Sequence, residues 1–296
     1  MKRNNGFLDL TVLKPSSFKK SEYSENHFWV EINDRWHFFK TSNFPYLELI
    51  CYKIAKRLDI KAIKYDLAVF ADKKGVISPD YRKAGYRYLP GYEVLNNLYN
   101  ADPDFVGQMG LEEGWEEIYE SPSYLLMNNL EVIWAAIEYG YPHISKEQKI
   151  KCIYDLVCQY IFSIFTMQYD KGAQNWELEV SDSELKVVPL FDNEGAFTIE
   201  NYSVSMATSF ADIEKPFDES LKKFLAFSSS EYLDLFIEKF EMLKNIDMVD
   251  ILSSIENEIG CQIPEEEKNN YIRAFNNNVN KIAVILEERK ENKIGR

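Results

Sequence analysis

The chain has 296 residues, 46% of them hydrophobic, and its 48 acidic and 34 basic residues give a formal net charge of −14. This length and hydrophobic content allow a substantial folded core. They exclude a disordered tail and a mini-protein that depends on disulfides. The acidic residues are spread along the chain, so we expect no electrostatic attraction to the phosphates of nucleic acids or of anionic membranes.

Cysteine usage and the most apolar segment indicate a cytoplasmic protein, although export without a classical signal stays open. The four cysteines lie far apart without a CxxC motif, and no apolar segment of signal-peptide type opens the chain. Residues 153–167 are the most apolar stretch, but Asp155 and Gln159 interrupt it. A membrane span needs about 20 residues. We therefore predict a buried helix there and no membrane association.

The N-terminal part is predicted to begin with a β-hairpin over 27–40. Residues typical of strands flank Asn33 and Asp34, a pair that tolerates the backbone of a tight turn. Apolar residues then recur at helical spacing over 47–58, and Pro45 suits the first turn of a helix. The pattern predicts two strands followed by a short amphipathic helix.

A second hairpin is predicted next, from strands at 65–70 and 76–77 joined by a turn at Lys73, Lys74 and Gly75. Two strands, a helix and two further strands make a small α+β unit, which we assign to residues 1–85. Residues 86–296 are predicted to be mostly helical. No repeat or low-complexity linker separates the two parts, so we expect two lobes in one compact unit.

The larger part contains five predicted helices and one hairpin. Apolar periodicity places the helices at 124–139, 147–168, 231–245, 248–259 and 265–288. Ser145 is the predicted N-cap of the second of these helices, with Gln148 three residues further on. The hairpin comprises 176–180 and 185–191 around a polar turn.

The residues best suited to catalysis or metal binding directly precede and follow this hairpin in the sequence. Asp170 and Asn175 precede it, and Asp192 follows it, so the three side chains are predicted to converge. Only three histidines occur, and any metal is therefore expected to have oxygen ligands. Carboxylate and amide oxygens suit Mg²⁺ that also binds phosphate. Lys40, at a strand end, would supply a positive charge for phosphate, and Glu48 would hold it through an ion pair.

Four pieces in order carry a resemblance to a known family: HFFK, the helix ELICYKIAKRLDI, the run DKGAQN and the segment PLFDNE, within about residues 27–195. Together they resemble the protein-kinase-like fold, and more closely the HipA-like family of bacterial serine/threonine kinases. The resemblance implies that ATP and Mg²⁺ bind in a cleft between the lobes. It implies Asp170 as catalytic base, Asn175 and Asp192 as metal ligands, and Lys40 on the phosphates with Glu48 as its partner.

The resemblance also implies a loop that covers the nucleotide phosphates, here residues 21–26, which contain no glycine. Ser21 and Ser24 are the candidate nucleotide contacts in this loop. Phosphorylation of a serine in the nucleotide loop recurs in this family, so the protein could be its own substrate.

The functional hypothesis is an ATP- and Mg²⁺-dependent kinase that phosphorylates serine or threonine in a protein of unknown identity. A small-molecule or lipid kinase of the same fold is one alternative. A second alternative is a pseudokinase that binds nucleotide or protein without turnover. Each residue also has an ordinary interpretation, because Asp and Asn are common in turns and Lys and Glu are usually solvated surface charges.

Overall fold

The computed structural model describes residues 3–21, 27–101, 130–168, 175–197, 221 and 230–294. Ser24 and Asp170 lie outside the described residues, as does the start of the helix predicted at 124–139. The described chain has a β-rich N-terminal region and a larger, mostly helical C-terminal region. The predicted α+β class is therefore confirmed.

Within the described part of the chain, seven strands form one sheet in the N-terminal region. They are β1 (Arg3–Asn4), β2 (Phe7–Asp9), β3 (Phe18–Lys20), β4 (His27–Ile32), β5 (Arg35–Thr41), β6 (Asp66–Phe70) and β7 (Lys73–Pro79). Their spatial order is β1-β2-β6-β7-β5-β4-β3. Only β2 and β6 pair in parallel; all other neighbours are antiparallel.

The first predicted hairpin is confirmed. Asn33 and Asp34 adopt left-handed backbone angles, with φ of 51° and 59°, as a tight two-residue hairpin turn requires. The resulting register pairs His27 with Lys40 across β4 and β5. Lys40 therefore lies beside the point where the chain enters β4.

The second hairpin forms, but its predicted turn was wrong. The turn is at Ala71 and Asp72, with φ of 48° and 66°, and Lys73–Gly75 belong to β7. Gly75 is present because two strands approach closely. A Cβ built on Gly75 would lie 2.1 Å from the carbonyl oxygen of Lys40. Glycine inside a strand often marks such an approach of another backbone.

We expect Gly75→Ala to lower the free energy of unfolding by about 1–3 kcal/mol, as overpacking of a tight site does. The added methyl group meets backbone atoms of Lys40 and Thr41, which cannot rotate away. Chemical denaturation would measure the loss. Gly140→Ala is the control, because a Cβ at Gly140 meets nothing within 4 Å. Equal stabilities of the two variants would contradict the prediction.

The first helix of the described chain belongs to the N-terminal region, and the later helices account for most of the C-terminal region. The helices are α1 (Pro45–Arg57), α2 (Gly91–Ala101), α3 (Leu130–Gly140), α4 (Lys146–Phe165), α5 (Ser230–Lys244), α6 (Met248–Ile259) and α7 (Glu265–Ile294). The side chain of Asp247 caps α6 by accepting from Val249 N at 2.8 Å. Gly260 ends it with a φ of 71°, in agreement with common cap preferences. No helix among the described residues is long and apolar enough to cross a membrane.

Three further strands in the described part form a second, antiparallel sheet in the order β10-β9-β8: β8 (Arg87–Pro90), β9 (Glu177–Val180) and β10 (Leu185–Val187). The hairpin predicted among the helices is thus confirmed, and β8 was not predicted. After β10 the chain runs beside the segment that follows α1. Leu190 N donates to Lys61 O at 2.9 Å, and Ile63 N donates to Leu190 O at 2.8 Å. These contacts bring the end of the hairpin towards α1.

Candidate functional site

A buried lysine lies at the centre of the candidate site. Lys40 is only 7% exposed, and its Nζ lies 2.7 Å from Glu48 Oε1 and 2.5 Å from Asp192 Oδ1. Glu194 Oε2 is further away, at 3.5 Å. Three carboxylates from two distant segments therefore surround one ammonium group.

Local structure explains why these groups meet. Lys40 is the penultimate residue of β5 and Glu48 lies in the first turn of α1. A helix N-terminus favours a negative side chain there. The connection between them is short, and Ser42 stabilises it by accepting a hydrogen bond from Phe44 N at 3.0 Å. Ser42 Oγ also donates to Glu194 Oε1 at 2.8 Å, which ties the same connection to the segment after Asp192.

Glu48 is completely buried, with 0% of its surface exposed. Besides Lys40, its carboxylate is bound by Asn193, whose backbone N lies 3.0 Å from Oε1 and whose Nδ2 lies 3.1 Å from Oε2. A buried carboxylate needs such a set of donors, because desolvation of an unpaired charge is costly. The burial and the donors show that Glu48 is not a solvated helix-surface residue.

Asp192 occupies a left-handed backbone conformation, with a φ of 54°. Its carbonyl oxygen accepts from Gln168 Nε2 at 2.7 Å. Met167 and Phe197 also have positive φ, 46° and 53°, and Phe197 N donates to the carbonyl of Thr166. Unfavourable backbone conformations of this kind cluster at functional sites. Two hydrogen bonds therefore join the residues that follow α4 to the segment that contains Asp192.

The electrostatic environment keeps Lys40 charged. Burial alone would lower the pKa of its ammonium group, but Glu48, Asp192 and Glu194 outweigh burial, so that the pKa lies well above its usual value. Lys40 is therefore a fixed positive charge over the whole neutral range. The part of the folding stability that comes from this shift is present below about pH 10, the usual lysine pKa, and is lost as pH rises further.

His27 faces the same cluster and has the opposite shift. Burial, and next the charge of Lys40, lower the pKa of this half-buried imidazole, although Asp192 and Glu194 act against them. A lowered folded pKa means that stability is present above about pH 6.5, the unfolded value, and is lost as pH falls through the folded pKa.

We therefore expect His27→Gln to resist acid better than the wild type. The Tm difference between the two proteins should grow in favour of the variant as pH falls from 8 to 5. His37→Gln is the matched control, since His37 pairs with Val30 across the sheet rather than with Lys40. Parallel Tm curves of His27→Gln and the wild type would contradict the assigned shift.

Of the other predicted site residues, the structure describes Asn175 and Ser21. Asn175 is buried, with 5% exposed, and precedes β9, while Val188 N donates to Glu177 O at the same end of the hairpin. Asn175 therefore lies at the end of the hairpin from which the chain continues towards Asp192, and the convergence of these two side chains stays a prediction. Ser21 is half-buried and directly follows β3. Convergence with Asp170 and contacts of Ser24 stay predictions, because both residues lie outside the described ranges.

Four residues of the site were not predicted from the sequence: Ser42, Gln168, Asn193 and Glu194. Asn193 and Glu194 stand in the PLFDNE segment directly after Asp192, and this adjacency was the available signal. Gln168 gave no signal, because a polar residue at the end of a helix is ordinary.

The comparison with solved structures identifies the fold. The crystal structure of the Helicobacter pylori proinflammatory kinase CtkA matches with a TM-score of 0.63 at 16% identity, over 97% of this chain and 99% of that chain. This chain has a kinase fold. The expectation from the sequence resemblance is thereby confirmed at the level of the fold.

A second similar structure is that of HipA from Shewanella oneidensis MR-1, in its toxin–antitoxin complex with HipB and operator DNA. Its TM-score is 0.47 at 12% identity, over 93% of this chain and 67% of that chain. No model of a protein family matches the chain, and no curated protein sequence matches it significantly.

Asp192 and Asn175 carry carboxylate and amide oxygens, the kind of ligand that Mg²⁺ takes in proteins. Asp192 has a side chain that is 37% exposed, and Asn175 lies at the end of the hairpin from which the chain continues towards Asp192. Mg²⁺ is commonly held by one or two protein oxygens together with waters and substrate phosphates. Among the described residues there is no group of three or more His, Cys, Asp or Glu residues arranged for a metal.

Proposed function

We propose that this protein is an ATP- and Mg²⁺-dependent phosphotransferase, and more narrowly a serine/threonine protein kinase of HipA-like type. The observation that carries the proposal is the contact of Lys40 with both Glu48 and Asp192, at 2.7 Å and 2.5 Å. The kinase fold and the kinase function named for the similar Helicobacter pylori structure support it.

The described residues explain what the site does in this proposal. Lys40 binds phosphate oxygens of the nucleotide, and Glu48 fixes the direction of its side chain. Buried charges act strongly, because little water screens them. Bound Mg²⁺, held by Asp192 and Asn175, would neutralise the charge that develops on the phosphate oxygens.

The remaining role comes from the family resemblance. Asp170 would orient the acceptor hydroxyl and accept its proton as the phosphoryl group is transferred. Ser21 and Ser24 would contact the nucleotide, and either is a candidate site of autophosphorylation. We propose that the acceptor is a serine or threonine of a protein.

The test is a thermal-shift titration with ATP, with and without Mg²⁺, followed by transfer from labelled ATP to a panel of acceptors. Ligand that binds only the folded state raises Tm by mass action. We expect stabilisation that depends on Mg²⁺, and labelled protein that Asp170→Asn does not form.

Each alternative outcome decides between functions. Label on a small molecule or a lipid, and none on protein, would favour a kinase with a different acceptor. Stabilisation without any labelled product would favour a pseudokinase. No stabilisation at any ATP concentration would overturn the proposed function altogether.

A further inference from the structure

Asn193 joins two parts of the candidate site that come from distant segments. Its backbone N and side-chain Nδ2 both donate to the carboxylate of Glu48, at 3.0 Å and 3.1 Å. The two residues are 145 positions apart, and both are almost completely buried, with Asn193 2% and Glu48 0% exposed. One side chain of α1 is thus bound by the residue directly after Asp192.

The choice of asparagine at this buried position needs an explanation. Asn193 Oδ1 is buried and has no hydrogen-bond partner within the described part of the chain, which is unfavourable. An apolar side chain of similar size would leave no such acceptor. The compensating contact is the charge-assisted hydrogen bond from Nδ2 to Glu48. The side chain of Asn193 therefore does more than fill space, because its Nδ2 binds a buried carboxylate.

We propose that Asn193 is a positioning residue that makes the Lys40–Glu48 pair and the Asp192 segment assemble as one unit. This inference rests on the proposed function and deepens it. Glu48 can hold Lys40 in the observed direction only while α1 lies against residues 192–193. Asp192 can keep its left-handed backbone only while its neighbour stays bound. Displacement of either segment therefore disturbs both the nucleotide contact and the metal contact.

The expected consequence is coupling between nucleotide and metal. In the wild type, Mg²⁺ at Asp192 and phosphate at Lys40 each favour the same joined arrangement, so each ligand strengthens binding of the other. Loss of the Asn193–Glu48 bond should weaken this mutual effect more than it weakens the fold.

The test is a double-mutant cycle of Asn193→Asp and Glu48→Gln. Asn193→Asp places a second carboxylate against Glu48, and Glu48→Gln removes the charge that faces Lys40. In the double variant the introduced amide can donate to the introduced carboxylate, and the total charge of the pair returns to that of the wild type. The dissociation constant of a non-hydrolysable ATP analogue, with and without Mg²⁺, is measured by calorimetry.

We expect each single variant to weaken Mg²⁺-dependent binding of the analogue by about tenfold or more, and the double variant to recover at least part of this loss, because its amide–carboxylate bond is restored while Lys40 still lacks the Glu48 charge. No recovery in the double variant would overturn the inference. If Asn193→Asp does not fold, Asn193→Ala replaces it, and unchanged Mg²⁺-dependent binding in this variant would likewise overturn the inference.

Asn278→Ala is the matched control. Asn278 is also 2% exposed, and its Nδ2 donates to the carbonyl of Phe165 at 3.4 Å. Its loss should lower stability without changing the effect of Mg²⁺ on nucleotide binding. The binding readout also separates the two proposals. Recovery in the cycle without any phosphoryl transfer would support the positioning role and refute the kinase activity.

Discussion

Lys40→Met is expected to lower the free energy of unfolding by about 3–5 kcal/mol, as the loss of one partner of a buried ion pair does, and to abolish phosphoryl transfer. Glu48 is 0% exposed, so its carboxylate cannot regain water when Lys40 is removed. Among the hydrogen bonds of the described residues, those from the two donors of Asn193 would then remain to it. Chemical denaturation measures the first effect, and labelled-ATP transfer measures the second.

The double variant Lys40→Met with Glu48→Gln separates charge burial from catalysis. It removes both buried charges together, and such replacement is often neutral for stability. We expect most of the stability to return while transfer stays absent. A double variant as unstable as Lys40→Met would show that packing around Lys40, rather than the unpaired charge of Glu48, causes the loss.

Lys149→Met is the matched control for Lys40→Met. Lys149 has a side chain that is 5% exposed and pairs with Glu138 at 2.9 Å, but the side chain of Glu138 is 38% exposed. After the replacement, Glu138 can be hydrated, so the loss should be about 1 kcal/mol or less. Transfer should be unchanged. A loss as large as that of Lys40→Met would contradict the argument that burial of the remaining carboxylate decides the effect.

Elements with strong local signals were predicted from sequence. The turn at Asn33 and Asp34 and the bounds of α6 are set by residues within a few positions, namely φ-tolerant turn residues and the caps Asp247 and Gly260. The strands β1, β2, β3 and β8, and helix α2, were not predicted. The four strands have two to four residues each, and β8 depends on pairing with β9, about 90 residues later. Such pairing has no local signature.

In the candidate site, too, residues that belong to sequence motifs were predicted, and contacts between residues far apart in the sequence were not. Lys40, Glu48 and Asp192 were predicted because ordered motifs matched a family, and the structure brings these three together. The contact of Asn193 with Glu48 was not predicted, because it is made in part by a backbone N–H. Gly75 was misassigned to a turn, since only the approach of β5 explains why a strand requires glycine there.

Asp192→Asn is expected to reduce phosphoryl transfer by roughly a hundredfold to a thousandfold, as loss of one electrostatic group at a reacting centre does, while the protein stays folded. Asparagine adopts left-handed backbone angles about as well as aspartate does, so the φ of 54° is tolerated. Lys40 keeps its buried partner Glu48. The neutral amide, however, is a much weaker Mg²⁺ ligand than the carboxylate.

Two further variants make this prediction specific to the carboxylate. Asp72→Asn alters another aspartate with positive φ, 66°, in the turn between β6 and β7, and should leave transfer unchanged. Asp192→Ala should lose transfer like Asp192→Asn but also lose about 1 kcal/mol of stability, because alanine disfavours the left-handed conformation. Labelled-ATP transfer measures the activity, and thermal shifts with and without ATP and Mg²⁺ measure stability and ligand binding. If Asp192→Asn keeps its Mg²⁺-dependent stabilisation, Asp192 binds no metal, and its contact with Lys40 serves only to order the backbone.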